Sequence, residues 1–291
     1  MEMMENEKEQ LEAFGAWLKK QEKSSNTVEK YMRDARHFLG YLGGETISPE
    51  AAIRYKEYLK EHYKISSVNS MVIAMNCYLR YLGRGECCVR TCRLQRQIFR
   101  EEEKELTRQE YRKLVLEAEK QGNKRLACLI QTIGMTGIRV SELKYITVES
   151  LKNKAVQICN KGKTRMILLP GSLRELLRRY CSAMKIRKGS IFIARTGRPL
   201  DRRSIWAQMK ELCFAAGVKK SKVFPHNLRH LFARCYYEKE KDLVRLADFL
   251  GHSSIETTRR YTMLSTMEVC LKQLELGLMV GKETWGMRMD M

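Results

Sequence analysis

Apolar residues recur at helical spacing over most of the chain. In the amino-terminal third two stripes are clear. Val28, Met32, Ala35, Leu39 and Leu42 form one, Val68, Val72, Met75, Leu79 and Leu82 the other, and each steps by three and four as a single buried helix face does. Ser25 stands where an N-cap is needed, Ser48 and Pro49 open a further helix, and Gly43, Gly44 and Gly83 close two of them. A compact bundle of four helices is therefore predicted over residues 1–83. The period is then lost. Arg84, Arg90, Arg93, Arg96 and Arg100 crowd the stretch ahead of Glu101, Glu102 and Glu103, which reads as an interdomain linker over residues 84–105.

The pattern resumes with a second domain, residues 106–264. Thr107 and Glu110 make a capping box, and helices are expected as far as Gly122 and from Lys124 to Gly134. Residues 155–159 and 166–169 are β-prone and flank Lys161-Gly162-Lys163-Thr164-Arg165, a hairpin that ends at Pro170. Ser172 with Glu175 starts another helix, residues 191–194 read as a strand, and Asp201 caps a helix that stops at Gly217. Residues 243–250 form a short amphipathic helix ended by a left-handed Gly251, and Ser253 with Glu256 starts the next. Beyond it, Met267, Leu271, Leu274 and Leu278 form an apolar stripe within residues 265–291, which a helix must bury against something. The expected fold class is mainly α with a small β-hairpin, in two domains: a helical bundle and a mixed α/β domain.

Charge adds a partner to this picture. The 291 residues carry 55 Lys and Arg against 34 Asp and Glu, a net +21. Residues 1–100 hold 17 of those bases and 13 of those acids, so +17 of the excess falls on the rest. Lys185, Arg187, Lys188, Arg195, Arg198, Arg202 and Arg203 form a run suited to tracking a nucleic-acid backbone, or simply a solvated basic face. The acidic first residues, MEMMENEKEQ, lack the apolar core of a secretory signal, and no run approaches the ~20 apolar residues of a membrane span. With ten cysteines in no regular framework, free thiols in a reducing cytoplasm are expected. Cys87, Cys88 and Cys92 lack the second paired set that a zinc site needs.

Candidate chemistry concentrates in residues 224–261. His226 and Arg229 are three apart, hence on one helix face and able to touch one ligand. His252 follows Gly251 in a tight corner, and Tyr261 lies nine residues on. Free tyrosine, with a pKa near ~10, is scarcely ionised at neutral pH and needs a base and cationic neighbours before it attacks phosphorus. A guanidinium, planar and always charged, suits the oxygens of a phosphorane. Earlier in the chain, Gly137 presents Arg139 at a turn with Glu142 three residues on. Taken singly, these residues have simpler readings. Arg139 and Glu142 make an ordinary surface pair, His226 and His230 stand at zinc-ligand spacing, and helix, Gly-His corner, helix is also the outline of a helix-turn-helix.

Jointly, His-x-x-Arg at 226–229, Leu-Gly-His at 250–252 and Tyr261 resemble the signature of the tyrosine recombinases, the phage-integrase family, in its Xer-like form. The resemblance covers roughly residues 8–280. It implies a core-binding bundle followed by a catalytic domain, and a site-specific recombinase that breaks and rejoins double-stranded DNA through a 3′-phosphotyrosyl link. It further implies that Tyr261 is the nucleophile, that Arg139, Arg229, His226 and His252 contact the scissile phosphate, and that Glu142 supports the first arginine. The family's catalytic lysine lies on a hairpin; Lys161 matches it, with Lys163 as the alternative. Neither metal nor small-molecule cofactor is implied. The expected assembly is a homotetramer on two DNA sites, formed from monomers or dimers, with the carboxy-terminal helix docking in trans. The same chemistry run by a type IB topoisomerase, and a non-catalytic helix-turn-helix regulator, are the rival readings.

Overall fold

The structure is a computed structural model that describes residues 5–93, 104–160, 163–252, 254, 255, 257 and 258. Lys161, Tyr261, the cap expected from Ser253 and Glu256, and the helix expected within 265–291 lie outside the described residues. The chain divides into two compact units, Met1–Arg96 and Gln97–Met291.

The first unit is an all-helical bundle of α1 (Glu5–Lys20), α2 (Ser25–Leu42), α3 (Pro49–His62) and α4 (Ile65–Tyr81). Both apolar stripes face its core: Val28, Ala35, Leu39, Val68, Val72, Met75 and Leu79 are buried with Phe14, Phe38, Tyr55 and Tyr78. Ser48 caps α3 as expected, accepting from Ala51 N at 3.2 Å. Ser25, however, is the first residue of α2 rather than its cap; Ser24 takes that position and makes no side-chain cap bond. Residues 84–93, expected to begin the linker, pack on α4 instead. Cys87 is buried in the bundle core. Two asparagine amides hold the strand-like segment behind it. Asn76 donates to Val89 O at 2.8 Å and accepts from Val89 N at 3.1 Å, and Asn69 does the same for Cys92 at 2.9 and 2.7 Å. Each amide replaces a strand neighbour for one residue, so backbone groups that a free tether would leave to water are paired.

The second unit is built round α6 (Lys124–Thr136), on which Leu126, Ala127, Cys128, Leu129, Ile130 and Ile133 are all buried. A helix apolar on so many sides is a central one. Around it pack α5 (Arg108–Lys120), α7 (Gly171–Ala183), α8 (Arg202–Ala215) and α9 (Pro225–Glu240). The capping box of Thr107 and Glu110 forms, and Asp201 caps α8. Three local expectations are corrected. Helix α6 runs through Gly134 to Thr136, because Gly134 is where Tyr111 crosses closely, not where the helix stops. Ser172 makes no cap bond: α7 starts behind Pro170, and Glu175 pairs with Arg179 at 2.8 Å. Residues 191–194 are no strand but a stretch tied by single bridges, Thr147 to Ser190 and Ile193 to Pro199.

The hairpin is longer than its composition suggested. Strands β1 (Ala155–Asn160) and β2 (Lys163–Leu168) pair antiparallel from Ala155 with Leu168 to Asn160 with Lys163, which leaves Lys161 and Gly162 between them. A two-residue connection is the commonest hairpin closure, and it draws Lys163, Thr164 and Arg165 into the strand. One hairpin face buries Val156, Ile158 and Ile167, while Met166 and Leu168 are exposed on the other. Against the second unit's edge, α10 (Leu243–Leu250) closes on α9 through Ala233, Leu246 and Leu250, with Phe232, Tyr236 and Tyr237 alongside.

Candidate active site

Two glycine corners place the basic residues. Gly137 ends α6 at φ 61°, and a Cβ there would stand 2.5 Å from Phe232, so the turn needs both the left-handed backbone and the missing side chain. The chain leaves it into Arg139 and the short 3-10 turn Val140–Tyr145. Gly251 ends α10 at φ 60°, where an added Cβ would collide with the side chain of Arg165. His252 follows at once.

Between these corners three arginines meet the last carbonyls of α10. Arg165 Nη1 donates to Phe249 O at 2.9 Å, Arg229 Nη2 to Leu250 O at 2.5 Å, and Arg139 Nη2 to Gly251 O at 3.3 Å. A helix C-terminus offers unpaired carbonyls and the negative end of its dipole, so it is a natural seat for cations. The three come from separate segments: the 3-10 corner, strand β2 and helix α9. Arg229, only 2% exposed, also donates through Nη1 to Gly137 O and so joins the two corners.

Glu142 supplies the compensating anion. It is 1% exposed, pairs with Arg139 Nη1 at 3.1 Å through one oxygen and with Arg165 through the other, and accepts from Arg139 N at 3.0 Å. Burial by itself would push its carboxyl up, but the hydrogen bonds from Arg165 and from the Arg139 backbone, with both positive charges, hold it below the ordinary value. Arg139 and Glu142 are thus no ordinary surface pair. Burial pulls the Arg165 guanidinium down, and Glu142 opposes that.

His252 is held at both ring nitrogens. Nε2 lies 3.1 Å from Arg229 Nη2 and Nδ1 2.8 Å from Thr258 Oγ1. A guanidinium can only donate, so Nε2 carries the lone pair and Nδ1 the proton, donated to the threonine. The ring is neutral. Burial first, then the charges of Arg229, Arg139, Arg165 and His226, lower its pKa from 6.5 to about 4. His226 stands at the exposed start of α9, behind Pro225 at the first helical position, and its ring meets that of His230 edge to face at 4.4 Å.

Four of the expected site residues, Arg139, Glu142, Arg229 and His252, are therefore gathered in one cluster, with His226 one turn ahead of Arg229. Lys161 and Tyr261 lie outside the described residues, and Lys163 is placed only as the first residue of β2. Sequence reasoning missed two members. Arg165 falls on the same strand face as buried Ile167, where a charge should have prompted a search for its partner, and Thr258, fully buried, sits six residues after His252. The basic run behaves as a surface: Lys185, Arg187, Lys188, Arg195, Arg198, Arg202 and Arg203 are all exposed. Among the described residues, no three His, Cys, Asp or Glu are grouped to hold a metal, and no helix is long and apolar enough to cross a membrane.

Fixed guanidinium groups around a buried glutamate and a neutral histidine define a site built for an oxyanion of the phosphodiester kind. Residues 104–268 match the phage integrase family, and the chain belongs to that family. It is 30% identical over 267 residues to the tyrosine recombinase XerA of Pyrococcus furiosus, an alignment that takes in 88% of this chain and 90% of that one. Two solved structures share the fold. The XerH site-specific recombinase bound to its palindromic difH substrate, a post-cleavage complex, superposes with a TM-score of 0.68 at 20% identity, over 84% of this chain and 78% of that one. A lambda integrase dimer bound to a COC′ core site gives 0.70 at 17%, over 87% and 94%.

Proposed function

We propose that the site cuts and rejoins double-stranded DNA through a 3′-phosphotyrosyl intermediate. The chain is a tyrosine site-specific recombinase, and the reading concerns how its residues divide the work. Tyr261 attacks the scissile phosphorus as His226 takes the phenol proton. The bond from phosphorus to the 5′ oxygen breaks, and Lys161 on the hairpin, or Lys163, protonates that oxygen as it leaves. Arg139 and Arg229 hold the equatorial oxygens, Glu142 steadies Arg139, and His252 holds a further phosphate oxygen. One ester replaces another, so the step needs no nucleotide, and the arginines carry the charge that a metal would otherwise bring. Reversal with a different 5′-hydroxyl rejoins the strand.

The observation that carries this reading is the convergence of Arg139, Arg229 and His252 on the end of α10. A DNA-binding regulator gains nothing from burying two guanidinium groups at a helix C-terminus beside a neutral imidazole. In the same reading, residues 1–83, with 84–93 packed on them, bind the core site, the chain from there to 105 links the two domains, 106–264 catalyse, and 265–291 dock on a neighbouring protomer, with four protomers on two DNA sites in the cytoplasm. The test is Tyr261→Phe on a nicked duplex that traps the 3′-linked intermediate. The wild type should form a covalent adduct, and the variant should bind equally but form none. A wild type that forms no adduct on a duplex carrying its own bound site would overturn the assignment.

A further inference from the structure

Arg165 takes no part in the chemistry just described, yet the molecule buries it to 10% exposure at the centre of the cluster. An ion inside a protein costs several kcal/mol unless it is paired and its hydrogen bonds are met, so an aliphatic side chain would fill this space more cheaply. What an aliphatic side chain cannot do is fix directions. The planar Arg165 fork does so at two points: Nη1 on Phe249 O at 2.9 Å and Nη2 on Glu142. Its stem lies where a Cβ on Gly251 would otherwise be.

Those contacts add the hairpin to two pieces of chain, the Arg139 corner and the end of α10, that Arg139 and Arg229 already join. Glu142 carries Arg139, the end of α10 carries Gly251 and His252, and β2 leads back through Lys163 to the Lys161-Gly162 connection. Among the described residues, backbone hydrogen bonds within the hairpin, the packing of Val156, Ile158 and Ile167, and one hydrogen bond from Tyr145 Oη to Cys159 O at 3.3 Å also seat β1 and β2. Apolar packing holds a hairpin down but resists sliding and rocking weakly, since it is non-directional. A lysine that must reach a single leaving oxygen depends on that motion being suppressed.

We infer that Arg165 is a positioning residue which locks the lysine-bearing hairpin in register with the Arg139 corner and the end of α10, so that the leaving oxygen receives its proton in the frame that holds the phosphate. The inference rests on the recombinase reading above. It does not depend on which of Lys161 and Lys163 is the acid.

The test compares full-length wild type with Arg165→Lys, which keeps the charge and loses the fork. A second variant, Arg165→Gln, leaves Glu142 in place and paired with Arg139 should the first fail to fold. Each is assayed for half-site binding and for cleavage of two nicked substrates, one ordinary and one whose 5′-bridging oxygen is replaced by sulfur, a leaving group that needs no proton. Both variants should bind within about twofold of wild type, and cleave ordinary DNA on the order of 100-fold more slowly, the cost of an ångström-scale misplacement. On the sulfur substrate most of that loss should vanish. An unchanged rate on ordinary DNA would overturn the inference, and so would an equal loss on both substrates, which is the mark of a general brace. If the wild type itself forms no adduct, it is the recombinase reading that falls.

Discussion

With His252 neutral in the free protein, DNA binding should be a proton-coupled event. In the free protein Nε2 accepts from Arg229 and Nδ1 donates to Thr258, and the ring's pKa is held at about 4. A phosphate arriving at the cluster draws the Arg229 N–H to its own oxygen and sets a negative charge beside Nε2. Both changes favour the imidazolium, which can then donate to the phosphate. At pH 5.5 a ring of pKa about 4 is only about 3% protonated, whereas one restored to about 6.5 is about 90% protonated. Binding at pH 5.5 should therefore take up close to one proton per protomer through this residue, falling towards zero at pH 8. Calorimetric titration in two buffers of different ionisation enthalpy measures the uptake, and the difference between wild type and His252→Gln isolates it from His226 and His230. Equal uptake by both proteins, or a His252 resonance in the free protein that titrates near 6.5, would refute the assignment.

The same shift has a sign in stability. The folded ring lies below the ordinary value, so between pH 6.5 and about 4 the unfolded chain takes up a proton that the folded one refuses. Stability is undiminished above pH 6.5 and falls as the pH drops through that window. The full displacement corresponds to about 3 kcal/mol, and the ring's partial contact with water reduces this to about 1.5 kcal/mol. His252→Gln should lose correspondingly less on acidification.

Arg229→Lys keeps the charge but cannot serve both Gly137 O and Leu250 O, so cleavage measured on the suicide substrate should slow by ~3–4 kcal/mol in activation energy while half-site affinity holds. Gly251→Ala should cost more in thermal unfolding than Gly217→Ala: both positions are left-handed, at φ 60° and 62°, but nothing lies within 4 Å of a Cβ at Gly217 whereas Arg165 blocks one at Gly251. The left-handed backbone accounts for roughly 1–2 kcal/mol in each, and the excess at Gly251 reports the Arg165 contact. DNA affinity should fall steeply with salt, with a log–log slope equivalent to several phosphates, because seven exposed bases lie between Lys185 and Arg203. A flat response in a filter-binding titration would count against that surface.

What the sequence made legible was local. His226 and Arg229 share a helix turn, Gly251 and His252 adjoin, and Arg139 is capped by Glu142 three residues on, so short spacings sufficed to nominate them. Arg165 was hidden because its partners lie 23 and 84 residues away, and a basic residue in a Lys-Gly-Lys-Thr-Arg string looks like part of a turn. The length of the hairpin is obscured for the same reason, since a polar composition reads as turn chemistry although Lys163, Thr164 and Arg165 pair within β2. The segment 84–93 has no helical period to reveal its docking, because asparagine amides on α4 hold its backbone while Cys87, Cys88, Val89 and Cys92 pack on the bundle without one. Gly134 reads as a helix end because a glycine that admits a crossing tyrosine and one that ends a helix are the same letter.

The end of α10 explains how a site can hold three guanidinium groups before any phosphate arrives. Like charges this close repel, and a cluster of unpaired cations would splay apart or draw in solvent ions. Here each guanidinium is given its own carbonyl on one helix terminus, and Glu142 neutralises one charge outright. The remaining positive charge is held in fixed directions, and little reorganisation is then needed when phosphate charge develops in the transition state. This arrangement depends on α10 ending at residue 250. A helix extended by one turn would bond those carbonyls internally and release all three arginines together. The left-handed Gly251 is therefore as much a part of the cluster as the arginines.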